Sequence, residues 1–177
     1  LVRPDLDVVD IRGNIDTRLG RVHPETGDLD AVVLAAAGLN RIGREHAITE
    51  LISVVDMAPA PGQGALAVET RTTLLESDAV VRRAFSDLED PATSLSVLAE
   101  RALLSRLEAG CAAPVGTHAT VSDGLLSLHA VVARPDGSEQ LRHHQSVEVA
   151  DTSTAEAVAL GEAVADHFLS LGAASFI

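Results

Sequence analysis

The first third of the chain combines short apolar runs with one segment of helical spacing. Residues 6–11 (LDVVDI) predict a short buried strand, and residues 31–37 (AVVLAAA) predict a strand that is covered on both faces, as in a parallel sheet. Between them, the apolar positions from Ile15 to Val22 predict a helix. This order predicts a βαβ unit and an α/β fold, in which the loops after the strands lie along one sheet edge, where ligands bind.

A segment rich in proline and glycine interrupts this pattern at residues 58–64 (APAPGQG). Both residue types disfavour the interior of regular elements, so we expect a hinge at this position. After it, residues 65–69 predict a further strand and residues 74–85 a helix.

The remaining chain predicts a small α+β domain with a three-stranded sheet and two helices. Asp90 followed by Pro91 is a strong helix start, and the apolar spacing continues to Gly110. Residues 115–121, 125–133 and 140–149 predict strands, the last two joined by a hairpin around Asp136-Gly137. The final helix is expected from about residue 154 to 171, with its end near Gly172.

Charge and composition indicate which kinds of binding partner the chain can have. The formal net charge is -13, with no Tyr or Trp and three Phe, which argues against nucleic acid and anionic membranes. All 13 basic residues are arginine, which excludes a Schiff-base lysine and favours recognition of carboxylates by guanidinium groups. The sequence has no apolar run of about 18 residues. A single cysteine suits a reducing compartment, so we expect a cytoplasmic protein.

Few residues point to chemistry on their own. Arg12, Arg18 and Arg41 lie near the predicted strand ends, where they could bind an anion or pair with surface carboxylates. Gln63, between two glycines, could line a ligand cleft or belong to a linker turn. Cys111 could be a buried apolar residue or an exposed nucleophile. The histidines lack the spacing of metal sites, and no acid/base pair stands out.

Four stretches of sequence, taken in their order along the chain, favour the functional alternatives for these residues. They are IRGNIDTRL at 11–19, LDAVVLAAAGLNRIG at 29–43, PGQGALAVE at 61–69 and AERALLSRLEAGCAAPVG at 99–116. Together they resemble the porphobilinogen deaminase family over essentially the whole chain. The resemblance implies three domains, of which the first two form a cleft like that of periplasmic binding proteins. Residues 1–60 would be the latter part of domain 2, residues 61–87 would return to domain 1, and residues 88–177 would be domain 3. The chain would lack most of domain 1 and the start of domain 2.

The resemblance also implies an activity and its residues. The family condenses four porphobilinogen molecules, with loss of ammonia, to the linear tetrapyrrole hydroxymethylbilane on a covalent dipyrromethane primer. Cys111 would carry that cofactor through a thioether, and Arg12, Arg18 and Arg41 would bind carboxylates of cofactor and substrate, with Gln63 as a further substrate-binding residue. The family's catalytic Asp would lie upstream of this chain, so we expect the chain alone to be inactive. We also expect the full-length protein to be monomeric, and residues 1–60 alone to be unstable or to oligomerise. The alternative is a non-catalytic anion-binding module of the periplasmic-receptor type.

Overall fold

The computed structural model describes residues 3, 5–110, 113–150 and 153–177, and it divides into two compact units, Leu1–Ile52 and Ser53–Ile177. The first unit contains helices α1 (Ile15–Gly20) and α2 (Ala36–Arg41) and a 3-10 turn, Glu45–Ala47. The second contains α3 (Thr72–Ser77), α4 (Ala79–Leu88), α5 (Pro91–Arg106), β1 (Val115–Ser122), β2 (Leu125–Ala133), β3 (Gln140–Glu148), α6 (Thr154–Ser170) and a 3-10 turn, Ala173–Ser175.

The second unit is built around one antiparallel sheet in the order β1-β2-β3, with α5 and α6 packed on one face. Residues of β2 alternate between the core and the open face, as a half-buried strand requires. The core joins one face of the sheet to the facing sides of both helices, and its fully buried side chains include Leu103, Leu126, Leu128, Val164 and Phe168. The predicted three-stranded sheet with helices is therefore confirmed.

Local signals set the ends of these elements. The Asp90 carboxylate accepts a hydrogen bond from Thr93 N at 2.7 Å and caps α5, with Pro91 as the first helical residue. Asp136 and Gly137 form the turn between β2 and β3, in which Gly137 has a φ of +72°. Gly172, with a φ of +87°, follows α6 in the left-handed conformation. In the described part of the chain, none of the helices has the length and apolar character needed to cross a bilayer.

The three strands predicted at 6–11, 31–37 and 65–69 are absent from the structure. Residues 6–11 and 65–69 have no regular secondary structure, and the end of the middle run forms the start of α2. A strand needs a neighbouring strand to pair its N–H and C=O groups, and none of these segments has such a partner among the described residues. Many of their apolar side chains are accordingly exposed, among them Val8 at 87% and Leu66 at 88%. The predicted βαβ unit is not formed.

The predicted helix at 74–85 is two helices, α3 and α4, because Asp78 interrupts it. The Asp78 carboxylate accepts hydrogen bonds from Val80 N at 2.8 Å and Val81 N at 3.2 Å, which starts a new helix. An Asp at this position therefore acts as an N-cap rather than as an exposed residue of one continuous helix.

Candidate functional site

The turn before α1 is built by glycine and asparagine. Asn14 Oδ1 accepts a hydrogen bond from Thr17 N at 2.8 Å and caps the helix. Gly13 has a φ of +114°, and a Cβ at this position would lie 3.0 Å from Thr17 Cγ2. Since the Asn14 side chain occupies one of the helix-end N–H groups and Asp16 adds negative charge to the first turn, anion binding here depends on the neighbouring arginines.

The six arginines of the first unit fall into two groups. One group forms ion pairs: Arg3 with Asp5 at 2.6 Å, Arg21 with Asp28 at 2.6 Å and Arg44 with Asp16 at 3.2 Å. The hydrogen bond from Arg21 lowers the pKa of the Asp28 carboxyl below its ordinary value. The other group consists of Arg12, Arg18 and Arg41, and none of them has a carboxylate within 4.0 Å among the described residues. These are the three arginines that are predicted to bind carboxylates.

Two of the three arginines lie on neighbouring helices. Arg18 is in α1, where its Nε donates to the carbonyl oxygen of Gly13 at 2.9 Å, and Arg41 is the last residue of α2. The helices approach closely at Gly38, where a Cβ would lie 3.2 Å from Ile15 Cδ1. The bond between Gly13 and Arg18 orients the guanidinium of Arg18 and leaves its terminal nitrogens as donors to a planar anion.

Gln63 is exposed at the tip of a turn in the second unit. Gln63 N donates to Ala60 O at 2.9 Å, and the flanking Gly62 and Gly64 have φ values of +74° and +90°. The turn borders a cleft of about 340 Å³ that is also lined by Glu100 and His118. Two larger surface depressions, of about 930 and 590 Å³, contain none of the predicted site residues.

Glu100 is a site residue that sequence reasoning missed. It is only 7% exposed, and its carboxylate accepts hydrogen bonds from Gly62 N at 2.6 Å and from Ala119 N at 2.7 Å. It therefore joins the Gln63 turn to α5 and β1. The sequence signal that could have identified Glu100 is its position three residues before Leu103. This spacing places an acidic residue on the apolar face of α5.

Cys111, the predicted cofactor residue, lies outside the described residues. Along the chain it follows the end of α5 at Arg106 and precedes β1, which starts at Val115. The predicted site residues are thus distributed over both units: the three arginines belong to the first and Gln63 to the second.

The histidines of the sheet contact other histidine rings, one pair across two strands and one pair between β3 and α6. His143 and His144 point to opposite faces, as successive residues of a strand do: the ring of His144 lies 4.0 Å from that of His129, and the ring of His143 lies 4.0 Å from that of His167. In the part of the chain that the structure describes, no group of three or more His, Cys, Asp or Glu side chains could hold a metal ion.

Two protein-family models match the chain in succession. Residues 1–79 match "Porphobilinogen deaminase, dipyromethane cofactor binding domain", and residues 94–170 match "Porphobilinogen deaminase, C-terminal domain". The predicted residues Arg12, Arg18, Arg41 and Gln63 fall within the first match and Cys111 within the second.

Individual relatives carry the same name. The porphobilinogen deaminase of Leifsonia xyli is 49% identical over 176 residues, which cover 97% of this chain and 53% of the relative. That of Nocardia farcinica is 50% identical over 177 residues, covering 95% of this chain and 48% of the relative, and that of Corynebacterium diphtheriae is 46% identical over 176 residues, covering 99% and 56%. The chain spans about half the length of the curated relatives it matches. On these matches, which follow one another along most of its length, the chain belongs to the porphobilinogen deaminase family.

Proposed function

We propose that the chain is the cofactor-carrying part of a transferase that joins four porphobilinogen molecules, with loss of ammonia, into hydroxymethylbilane. The proposal rests on membership of the family and on the three arginines of the first unit that have no carboxylate partner among the described residues. Because the thiol must remain reduced until it is alkylated, the proposed activity is cytoplasmic.

The arginines fit the chemistry of a dipyrromethane cofactor. Each of its two pyrrole rings bears an acetate and a propionate, so the group presents several carboxylates along its length. Arg12, Arg18 and Arg41 supply permanently charged, planar donors suited to such groups, while the other arginines of the unit are already paired with Asp side chains. In this proposal the three arginines hold carboxylates of the cofactor and of the growing chain.

Cys111 and Gln63, both in the second unit, have further proposed roles. Cys111 holds the cofactor through a thioether, and the bound dipyrromethane supplies a primer to which further pyrroles are added. Gln63 contributes an exposed amide, which can both donate and accept hydrogen bonds toward substrate. The catalytic Asp of the family is not assigned to any residue of this chain.

We further propose the three-part layout of residues 1–60 in domain 2, 61–87 returning to domain 1 and 88–177 as domain 3, with the first two domains forming a receptor-like cleft. The succession of the two family matches, with residue 79 ending one and residue 94 beginning the next, supports a boundary close to residue 87.

Mass spectrometry of the purified full-length protein tests the cofactor assignment. The peptide containing Cys111 should carry the added mass of two linked pyrroles, and a Cys111→Ser variant should lack both this mass and porphobilinogen consumption. An unmodified thiol in protein that turns over porphobilinogen would refute the assignment. An unmodified thiol in inactive protein that still binds carboxylated anions would instead favour the receptor-type alternative.

Matched arginine variants test the carboxylate sites. Arg12→Gln, Arg18→Gln and Arg41→Gln should each lower kcat/KM for porphobilinogen by about tenfold or more, since each removes a charge-assisted hydrogen bond. Arg21→Gln removes the same charge from an arginine that is already paired with Asp28 and should leave kcat/KM near the wild-type value. Equal losses for all four variants would show that overall charge, rather than these three positions, determines binding.

A further inference from the structure

We infer that Glu100 is a positioning residue, which fixes the Gln63 turn to the helix that leads toward Cys111. Its effect on turnover rests on the proposed function, whereas its effect on the turn does not. The Glu100 carboxylate accepts a hydrogen bond from a main-chain N–H of each of two separate segments.

The burial of this side chain is unusual for an acid. Among the described residues, Glu100 is the only acidic side chain in the buried class, at 7% exposed. It has no arginine or histidine within ion-pair distance in the described part of the chain, and its two oxygens are instead satisfied by main-chain N–H groups. Burying a charged group without hydrogen-bond donors costs free energy, and the two main-chain hydrogen bonds offset this cost.

The two donors belong to parts of the fold that meet at Glu100. Oε2 accepts from Gly62 N at 2.6 Å and Oε1 accepts from Ala119 N, in β1, at 2.7 Å. A second bond, from Thr117 N to Pro59 O at 2.7 Å, holds the same segment three residues earlier. The proline- and glycine-rich stretch, in which the sequence predicts a hinge, is therefore held by hydrogen bonds to α5 and to β1.

Only a glutamate meets this geometry. A glutamine has one acceptor oxygen and would turn its NH₂ group toward the second N–H donor, so one of the two bonds is lost, and the other is weaker because its acceptor is neutral. An aspartate is one methylene shorter and cannot reach both donors from the same helical position. An apolar residue would fill the same space without burying a charge. The carboxylate therefore contributes two directional hydrogen bonds that fix the turn, and not only its volume.

Holding the turn matters because Gln63 follows Gly62 directly. The left-handed φ of Gly62 means that rotation about this residue redirects the next side chain, and the Gly62 N–H is the group that Glu100 holds. Glu100 belongs to α5, which ends at Arg106, five residues before Cys111 in the sequence.

Amide hydrogen exchange in the 177-residue chain tests the contact. In Glu100→Gln, the amides of Gly62 and Ala119 should exchange about tenfold faster or more, and their proton shifts should move upfield, because a carboxylate acceptor is lost. The amide of Leu128 in the middle of the sheet should keep its protection, which shows that the fold is retained. Glu156→Gln, at an exposed position of α6, removes the same charge and should change none of these amides.

Kinetics of the full-length protein separate positioning from general destabilisation. Glu100→Gln should lower kcat/KM about tenfold at full cofactor occupancy, and adding Gln63→Ala should produce little further loss, because both changes remove the same placed amide. Additive losses, or unchanged exchange at Gly62 in Glu100→Gln, would overturn the inference. If the wild-type protein shows no porphobilinogen turnover, the proposed function fails, and the exchange result alone decides whether Glu100 positions the turn.

Discussion

Single side chains on the open face of the sheet link the stability of the second unit to pH. His118, His129 and His144 are cross-strand neighbours in the sheet, and the rings of His129 and His144 lie 4.0 Å apart. Burial, followed by the nearby charges of His144 and His118, lowers the pKa of His129 below its ordinary value. Between the lowered pKa and the unfolded value of about 6.5, the unfolded chain binds more protons, so the free energy of unfolding falls as pH falls through this range.

Urea unfolding of the wild type and of His129→Gln at pH 7.5 and 5.5 measures this effect. The wild type should be less stable at the lower pH, and His129→Gln should lose a smaller part of its stability because the group with the lowered pKa is gone. His46→Gln, at an exposed position of the first unit, serves as the control and should retain the wild-type dependence. An unchanged pH dependence in His129→Gln would assign the effect to other groups.

At the same scale, the sequence identifies site residues only where motif context supplies their role. Arg12, Arg18 and Arg41 could not be told from surface arginines by pattern, and the resemblance selected them. The structure adds a physical distinction, since these three lack the Asp partners that the other arginines of the unit have. The role of Glu100 could not be predicted from the local sequence, because it depends on two N–H donors that are 38 and 19 residues away in the chain.

At the scale of elements, local signals predicted the elements after residue 90 well, whereas the strands expected before residue 70, which need distant pairing partners, are absent. The cap at Asp90, the turn at Asp136-Gly137 and the glycine after α6 each act within a few residues, and the elements beside them are confirmed, except that α5 ends at Arg106 and not at the expected Gly110. The strands expected at 6–11, 31–37 and 65–69 depend on partners elsewhere, which a local pattern does not contain. Asp78 is a residue type that favours a helix N-cap, but the apolar spacing on both sides of it is also typical of one continuous helix, which is why a single helix is predicted there.

The packing of α5 against α6 depends on a glycine. A Cβ at Gly161 would lie 2.1 Å from Ala99 O and 2.9 Å from Leu103 N, so the helix backbones touch where Gly161 has no side chain. Gly161→Ala should lower the free energy of unfolding by about 2 kcal/mol, because the helices must separate, even though alanine favours a helix by about 1 kcal/mol. Urea unfolding followed by circular dichroism measures the change.

Gly20→Ala is the matched control, since nothing lies within 4 Å of a Cβ at this last residue of α1. Its stability should equal or slightly exceed that of the wild type. If Gly161→Ala is as stable as Gly20→Ala, the two helices can move apart freely and the close contact contributes nothing specific.

At the scale of the whole molecule, burial is very unequal between the two units. In the described part of the first unit, Leu39 is the only residue in the buried class, while Val8, Val33 and Leu51 are 87%, 59% and 71% exposed. The second unit buries a continuous core from α5, the sheet and α6. Since burial of apolar surface supplies most of the stability of a fold, the two units should differ widely in their resistance to opening.

Hydrogen exchange followed by mass spectrometry should show this difference directly. Peptides from residues 5–52 should exchange within seconds to minutes, whereas peptides from β2 and α6 should stay protected until the second unit unfolds globally. Sedimentation at increasing concentration should detect self-association through the exposed apolar residues, because a surface of this kind favours contact with further apolar surface. A single cooperative unfolding transition of a monomer, with equal protection in both units, would contradict the prediction, since it would require the first unit to have a stability that its burial does not supply.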